Sequence, residues 1–172
     1  MAPPQVPEGL PRAVVEAVDG KDTMDRLGDR AAIEDQMFRY ARATDWLETD
    51  NHRLVFLDDC VFSSPHSGDM RGIDTVVAWM NRVLAPFEAT QHHISNIAIT
   101  FTGDHSAEAV SYVRAWHRFL DHSVPDMILW GEYHDQWIRR DGTWRIAERH
   151  VLEAGIEPRR DGGAPNPRRA KQ

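Results

Sequence analysis

Apolar positions along this chain change their period once, dividing it into a helical half and a strand half. From Thr23 to Thr44 they fall at Leu27, Ile33, Met37, Tyr40, Ala41 and Thr44, a stripe down one side of a helix. Asp45 stands at the C-terminal edge of that stripe. Asn51 to Leu57 reads as a second, short helix ending at Asp58-Asp59, and Cys60-Val61-Phe62 as a short strand. Ser63 to Arg71 is rich in turn formers and reads as a loop. Gly72 then precedes a third helix, Ile73 to Leu84, with Ile73, Val76, Val77 and Met80 on one side and Pro86 marking its end.

The remainder is strand-like. His92 to Phe101, Ala107 to Leu120, Met127 to Arg140 and Thr143 to Ala154 are long runs rich in aromatic and β-branched residues. Gly103-Asp104, the segment from His122 to Asp126, and Asp141-Gly142 separate them, the last being a strong tight-hairpin signal. Three helices followed by four long antiparallel strands predict an α+β fold. Strands of this length must bend strongly to curl around the helices, leaving a cone open at one end with a single deep pocket.

The two ends lack this patterning. Residues 1–22 hold four prolines and predict a poorly ordered extension. The segment from Pro158 to Gln172 sets Arg159, Arg160, Arg168, Arg169 and Lys171 against Asp161 and predicts a basic, disordered tail. The folded domain is expected over residues 23–157.

Composition narrows the function classes. At 172 residues, 41% hydrophobic and 27% charged, the chain has the make-up of one globular domain. A net charge of −7 argues against a nucleic-acid partner, which needs a basic face. The longest apolar runs, such as Met127-Ile128-Leu129-Trp130, are too short to span a bilayer. Met1 to Pro7 has neither the basic nor the apolar region of a signal peptide. Cys60 is the sole cysteine, which excludes an internal disulfide and a cysteine-built zinc site. The expectation is a cytoplasmic protein with neither nucleic-acid nor membrane partners.

The chemistry-bearing residues are acids and histidines. Asp45 lies four residues after Ala41 and flanks the stripe made by Met37, Tyr40 and Thr44, so it can turn inward. A carboxylate buried there needs a partner, and a histidine is the natural one. His92 and His93, at the head of an apolar strand, point to opposite faces, and periodicity alone does not choose between them. A carboxylate–imidazole pair is the raw material of a general base. His117 shares a face with Ala109, Ser111, Val113 and Ala115, and Tyr133 shares one with Leu129, Gly131, Asp135 and Trp137. His52, His66, His105 and His122, near turns, are expected at the surface. Strict alternation sets Arg149 opposite Trp144 and Ile146, so it faces outward unless a bulge resets the register. No His-x-Glu, His-Glu-x-x-His, Gly-x-Ser-x-Gly or glycine-rich nucleotide motif occurs. No metal or cofactor is expected.

Several motifs, taken in order and spacing, carry a resemblance. They are Arg30-Ala31-Ala32-Ile33-Glu34-Asp35, Tyr40-x4-Asp45, Phe56-Leu57-Asp58-Asp59-Cys60-Val61-Phe62, Thr90-Gln91-His92 with Asn96, and the run from Gly131 to Ile146. From about Leu27 to Ala154 the chain resembles the SnoaL-like, nuclear-transport-factor-2-like (NTF2-like) superfamily. Within it, the similarity is to the branch near scytalone dehydratase, bile-acid 7α-dehydratase and hexachlorocyclohexane dehydrochlorinase. The resemblance implies a cone-shaped α+β barrel of the NTF2-like/cystatin-like type, its N-terminal helices packed on a strongly bent antiparallel sheet. It also implies that Asp45 and His92 are the paired base, that His117 is a second catalytic histidine, and that Tyr40 and Arg149 contact substrate. Tyr133 is added as a substrate-binding hydroxyl.

The departures are specific. Ser64 stands where scytalone dehydratase has a water-binding tyrosine, and Gly131 and Tyr133 stand where it has serine and asparagine. The ketosteroid isomerase aspartate also aligns near Ser64. Scytalone itself and ketosteroid-type isomerisation are therefore disfavoured. The expected activity is a cofactor-independent lyase, a dehydratase-type elimination on a small hydrophobic, alicyclic or polyketide-like substrate. The alternatives are an isomerase, epimerase or cyclase using the same base, or a non-catalytic binding or assembly module. The resemblance also implies a homo-oligomer, a trimer or dimer, and Trp116, Trp130 and Trp137 offer apolar area for its interface.

Overall fold

The computed structural model describes Met24 and residues 26–158. The N-terminal extension and the basic tail expected from the sequence lie outside the described residues, apart from Pro158. Helix α1 spans Leu27–Asp45 and buries Ile33, Met37, Tyr40, Ala41 and Thr44 of the stripe read from the sequence, while Leu27, at its start, is exposed. Its end is abrupt. The Leu47 N–H donates to Thr44 O at 3.1 Å and the Glu48 N–H to Ala43 O at 2.9 Å, the paired bonds of a Schellman turn. Leu47 takes the left-handed conformation (φ 58°) that glycine usually fills there. The helix therefore stops just beyond Asp45, and a six-residue 3-10 helix, Thr49–Leu54, follows.

Strands β1 (Phe56–Ser64) and β2 (Gly68–Arg71) form a hairpin, and helix α2 (Ile73–Leu84) buries Ile73, Val76, Val77, Met80 and Leu84. The long strands β3 (Phe87–Gly103), β4 (Ser106–Phe119), β5 (Met127–Arg140) and β6 (Thr143–Glu157) follow. Asp141 and Gly142, at φ 52° and 75°, make the expected two-residue turn between β5 and β6. The strands form one six-stranded sheet in the order β2-β1-β6-β5-β4-β3. It curls around α1, and Ile33, Met37 and Tyr40 pack with Val113, Tyr133, Trp137 and Ile146 in one core.

Several expectations need correction. The sheet is mixed, because β1 runs parallel to β6. Ser63 to Arg71 is not a loop throughout but holds the end of β1 and all of β2. A four-residue edge strand with one buried apolar side chain, Met70, shows no alternation and is held by pairing with β1. The first strand begins at Phe56, the second helix is 3-10, and the first long strand begins at Phe87. Trp137, expected to offer interface area, is fully buried, whereas Trp130 is 41% exposed.

Two irregularities decide which side chains face inward. In β3 the register with β4 shifts between Ser95 and Ala98, where Asn96 adopts φ 52°. In β6, Glu148 pairs with Gln136 and Ile146 with Trp137, which leaves Ala147 as an extra residue. The bulge moves the inward set from Trp144 and Ile146 to Arg149 and Glu153, the buried positions beyond it. Arg149 thus faces the interior, the outcome that strict alternation excluded.

Candidate active site

The end of α1 and the head of β3 meet at Asp45. The His92 ring donates from Nδ1 to Asp45 Oδ1 at 2.7 Å, and the His92 backbone N–H donates to Oδ2 at 3.0 Å. The Thr90 hydroxyl donates to Oδ1 at 3.0 Å. Burial alone would raise the Asp45 pKa. The bonds from the His92 ring, the His92 backbone and Thr90 outweigh that and hold it below the usual carboxylate range. With Nδ1–H committed to the carboxylate, a neutral His92 ring carries its lone pair on Nε2. His93, one residue on, is exposed.

His117 lies edge-on to His92 with ring centroids 5.6 Å apart, and Phe87 covers it at 4.7 Å. Burial first, then repulsion from His92, pushes its pKa down to about 4. At neutral pH it is therefore a neutral N–H donor and not an imidazolium.

A second cluster sits on the inner face of β5 and β6. Arg149 makes a two-pronged pair with Asp135, Nε to Oδ1 and Nη2 to Oδ2, both at 2.7 Å and with both side chains wholly buried. Asp135 outweighs the burial of Arg149 and keeps it firmly charged. The guanidinium lies 4.2 Å from the ring centres of both Tyr40 and Tyr133. Burial raises the pKa of both phenols, so each remains a neutral hydroxyl. Ser111 Oγ, His117 Nδ1 and Arg149 Nη1 are buried without a hydrogen-bond partner. Such atoms are costly unless something supplies the missing bonds, and a polar ligand would do so.

All six sequence-predicted site residues thus lie on α1 or the long strands around one interior. Asp45, His92 and His117 form one group, and Tyr40, Tyr133 and Arg149 another. Thr90 and Asp135 escaped the sequence reading. Thr90 lies in the Thr90-Gln91-His92 motif, and Asp135 had been placed on Tyr133's face, but nothing in the sequence showed what either would bond.

His52 corrects a sequence expectation. It is fully buried, with Nδ1 at 2.8 Å from Thr49 O and Nε2 at 3.1 Å from Thr44 Oγ1. Its pKa is pushed down to about 4, chiefly by burial. Cys60 is buried as well, which pushes its thiol up to about 11 and leaves it a poor nucleophile.

The two low histidines set a pH dependence. Each binds a proton near pH 6.5 when unfolded and only near 4 when folded. Their stabilisation is complete above about 6.5 and is lost as pH falls through about 4, by at most about 3 kcal/mol each. The melting temperature is expected to fall between pH 7 and pH 4.5, with a shallower slope for His52→Gln. An unchanged slope in that variant would count against the assignment.

A model of the SnoaL-like domain matches residues 25–150. The chain belongs to the SnoaL-like family. Among solved structures it is similar to a scytalone dehydratase-like protein from Novosphingobium aromaticivorans, with 29% identity and a TM-score of 0.76 over 83% of this chain and 95% of that one. It is also similar to a hexachlorocyclohexane dehydrochlorinase, LinA type 2, with 20% identity and a TM-score of 0.72 over 82% and 95%. A cystatin-like protein of unknown function from Nostoc punctiforme matches at 18% identity and a TM-score of 0.63 over 80% and 94%. The last two, at their low identity, show the fold alone. A comparison with curated proteins found no match. The structural neighbours of this SnoaL-like domain thus include lyase-type proteins, and its fold is NTF2-like. Among the described residues, no helix is long and apolar enough to cross a membrane.

Proposed function

We propose that this SnoaL-like protein is a cofactor-independent lyase that removes water from a small alicyclic or polyketide-like substrate. The observation that carries the reading is the Asp45–His92 pair, in which one carboxylate takes bonds from the His92 ring, the His92 backbone and Thr90. That arrangement fixes the imidazole and directs Nε2 away from Asp45 as the base.

In the reaction, His92 Nε2 removes a proton from carbon beside an activating carbonyl. The C–H electrons become the new double bond, and the C–O bond to the leaving hydroxyl breaks. His117, neutral at working pH, donates a hydrogen bond to the departing oxygen. The proton taken by His92 returns to that oxygen, water leaves, and the base is restored. Tyr40, Tyr133 and the free Nη1 of Arg149 are donors suited to the carbonyl, where negative charge develops. Positioned acid–base groups of this kind contribute about 10²–10⁴-fold each.

A panel of cyclic β-hydroxyketones, followed by enone absorbance, tests the proposal. At least one member is expected to turn over, with Asp45→Asn slower by about 10²-fold because the imidazole loses its orienting carboxylate. A panel with no turnover, or an Asp45→Asn variant as fast as the parent, would overturn it.

A further inference from the structure

Between the β1–β2 hairpin and helix α2 lies a cavity of about 580 Å³, large enough for a two-ring ligand. His66, Ser67, Met70, Thr75, Trp79 and Arg82 line it. None of these residues belongs to the Asp45–His92 site.

Its chemistry is directional. His66 stands on the β1–β2 turn, 60% exposed, with Nε2 at 2.7 Å from Glu153 Oε2. Glu153 is the buried partner, its side chain only 3% exposed, on the inward face of β6 beyond the Ala147 bulge. The turn is tied down, because the backbone N–H groups of His66 and Ser67 both reach Ser64 Oγ, at 3.3 and 3.2 Å. A carboxylate that accepts the Nε2–H leaves a neutral His66 with its lone pair on Nδ1, an acceptor for a ligand hydroxyl. Across the cavity Arg82 has no ion-pair partner among the described residues. Asp74, the acid on the same rim, is taken by Arg53 at 2.6 Å. Arg82 is therefore a cation on this rim that Asp74 does not neutralise. The Trp79 indole, packed 5.3 Å from Phe62, is the aromatic surface in the lining on which a ring can stack.

We propose that this cavity is a second binding site, for a flat ring ligand carrying a hydroxyl at one end and a carboxylate at the other. The ring stacks on Trp79, the carboxylate pairs with Arg82, and the hydroxyl donates to His66 Nδ1. Glu153 is the positioning residue that sets the imidazole. The site does not depend on the lyase reading.

Fluorescence titration of the full chain with 6-hydroxy-2-naphthoate tests it, with 2-naphthoate and 2-naphthol as controls. The parent is expected to bind 6-hydroxy-2-naphthoate about tenfold more tightly than either control, one hydrogen bond or ion pair being worth about that factor. Arg82→Gln erases the preference over 2-naphthol. His66→Phe, which keeps a flat ring but no acceptor, erases the preference over 2-naphthoate. Glu153→Gln also weakens the hydroxyl preference; because Glu153 is buried, the exposed His66 and Arg82 variants keep the test decisive if that variant misfolds. His92→Ala, which destroys the proposed base, leaves all three affinities unchanged, so this site and the lyase site fail separately. No saturable binding to the parent, or preferences that survive both Arg82→Gln and His66→Phe, would overturn the proposal.

Discussion

His92→Ala is expected to lower kcat for a dehydrated substrate by about 10²–10⁴-fold while the protein stays folded, because it removes the base and little of the core. The His92 side chain is almost buried, and Asp45 holds its ring at 2.7 Å, but it is not part of the apolar core. Its loss leaves Asp45 with the His92 backbone N–H and the Thr90 hydroxyl, so the carboxylate is not orphaned. Circular dichroism and melting temperature should therefore stay near the parent while turnover collapses. His93→Ala, at an exposed neighbour on the same strand, should leave turnover unchanged. If His92→Ala retains near-parent activity, the proton-transfer proposal is wrong, whatever the geometry of the pair.

Arg149→Met is expected to cost about 3–5 kcal/mol of stability, because it strands the Asp135 carboxylate in the interior. Both side chains are wholly buried, and each supplies the other with two short bonds. Two rings, Tyr40 and Tyr133, are also packed on the guanidinium and would lose their cation. Taking both charges out together behaves differently. Arg149→Met with Asp135→Leu leaves no unpaired ion, so the double variant should regain most of the loss measured for Arg149→Met. Chemical denaturation of the two single variants and the double variant gives the coupling directly. Additive losses would show that the pair is not coupled as the geometry requires. The double variant should still dehydrate poorly, because Arg149 Nη1 is among the donors proposed for the substrate carbonyl.

Much of this architecture was legible from periodicity. The α1 stripe, the α2 stripe, the four long strands and the Asp141-Gly142 turn are local patterns, set by side-chain alternation and backbone preference within a few residues. Tyr40, Asp45, His92, His117 and Arg149 were proposed for a different reason, through the family resemblance, and Tyr133 from the face it shares with Asp135 and Trp137. What escaped was non-local. Strand β2 exists because β1 pairs with it, and His52 is buried because the 3-10 turn folds it beneath Tyr40, 5.1 Å away. Neither leaves a periodic trace.

The sequence by itself determined the class of fold, the inward stripe of α1 that ends at Asp45, and the supply of acids and histidines from which a base can be made. The tertiary structure decided which of them meet. A strand's alternation is exact only until an extra residue enters, and one bulge reverses every side chain beyond it. Asn96 in β3 and Ala147 in β6 are such points. The second of them turns Arg149 inward onto Asp135 and Glu153 inward to hold His66. Periodicity left His92 and His93 open and the resemblance named His92; in the fold, the head of β3 meets the end of α1 so that one carboxylate accepts both a ring N–H and a main-chain N–H of that residue. These are contacts between segments 14 to 87 residues apart, and local propensity has no means of encoding them.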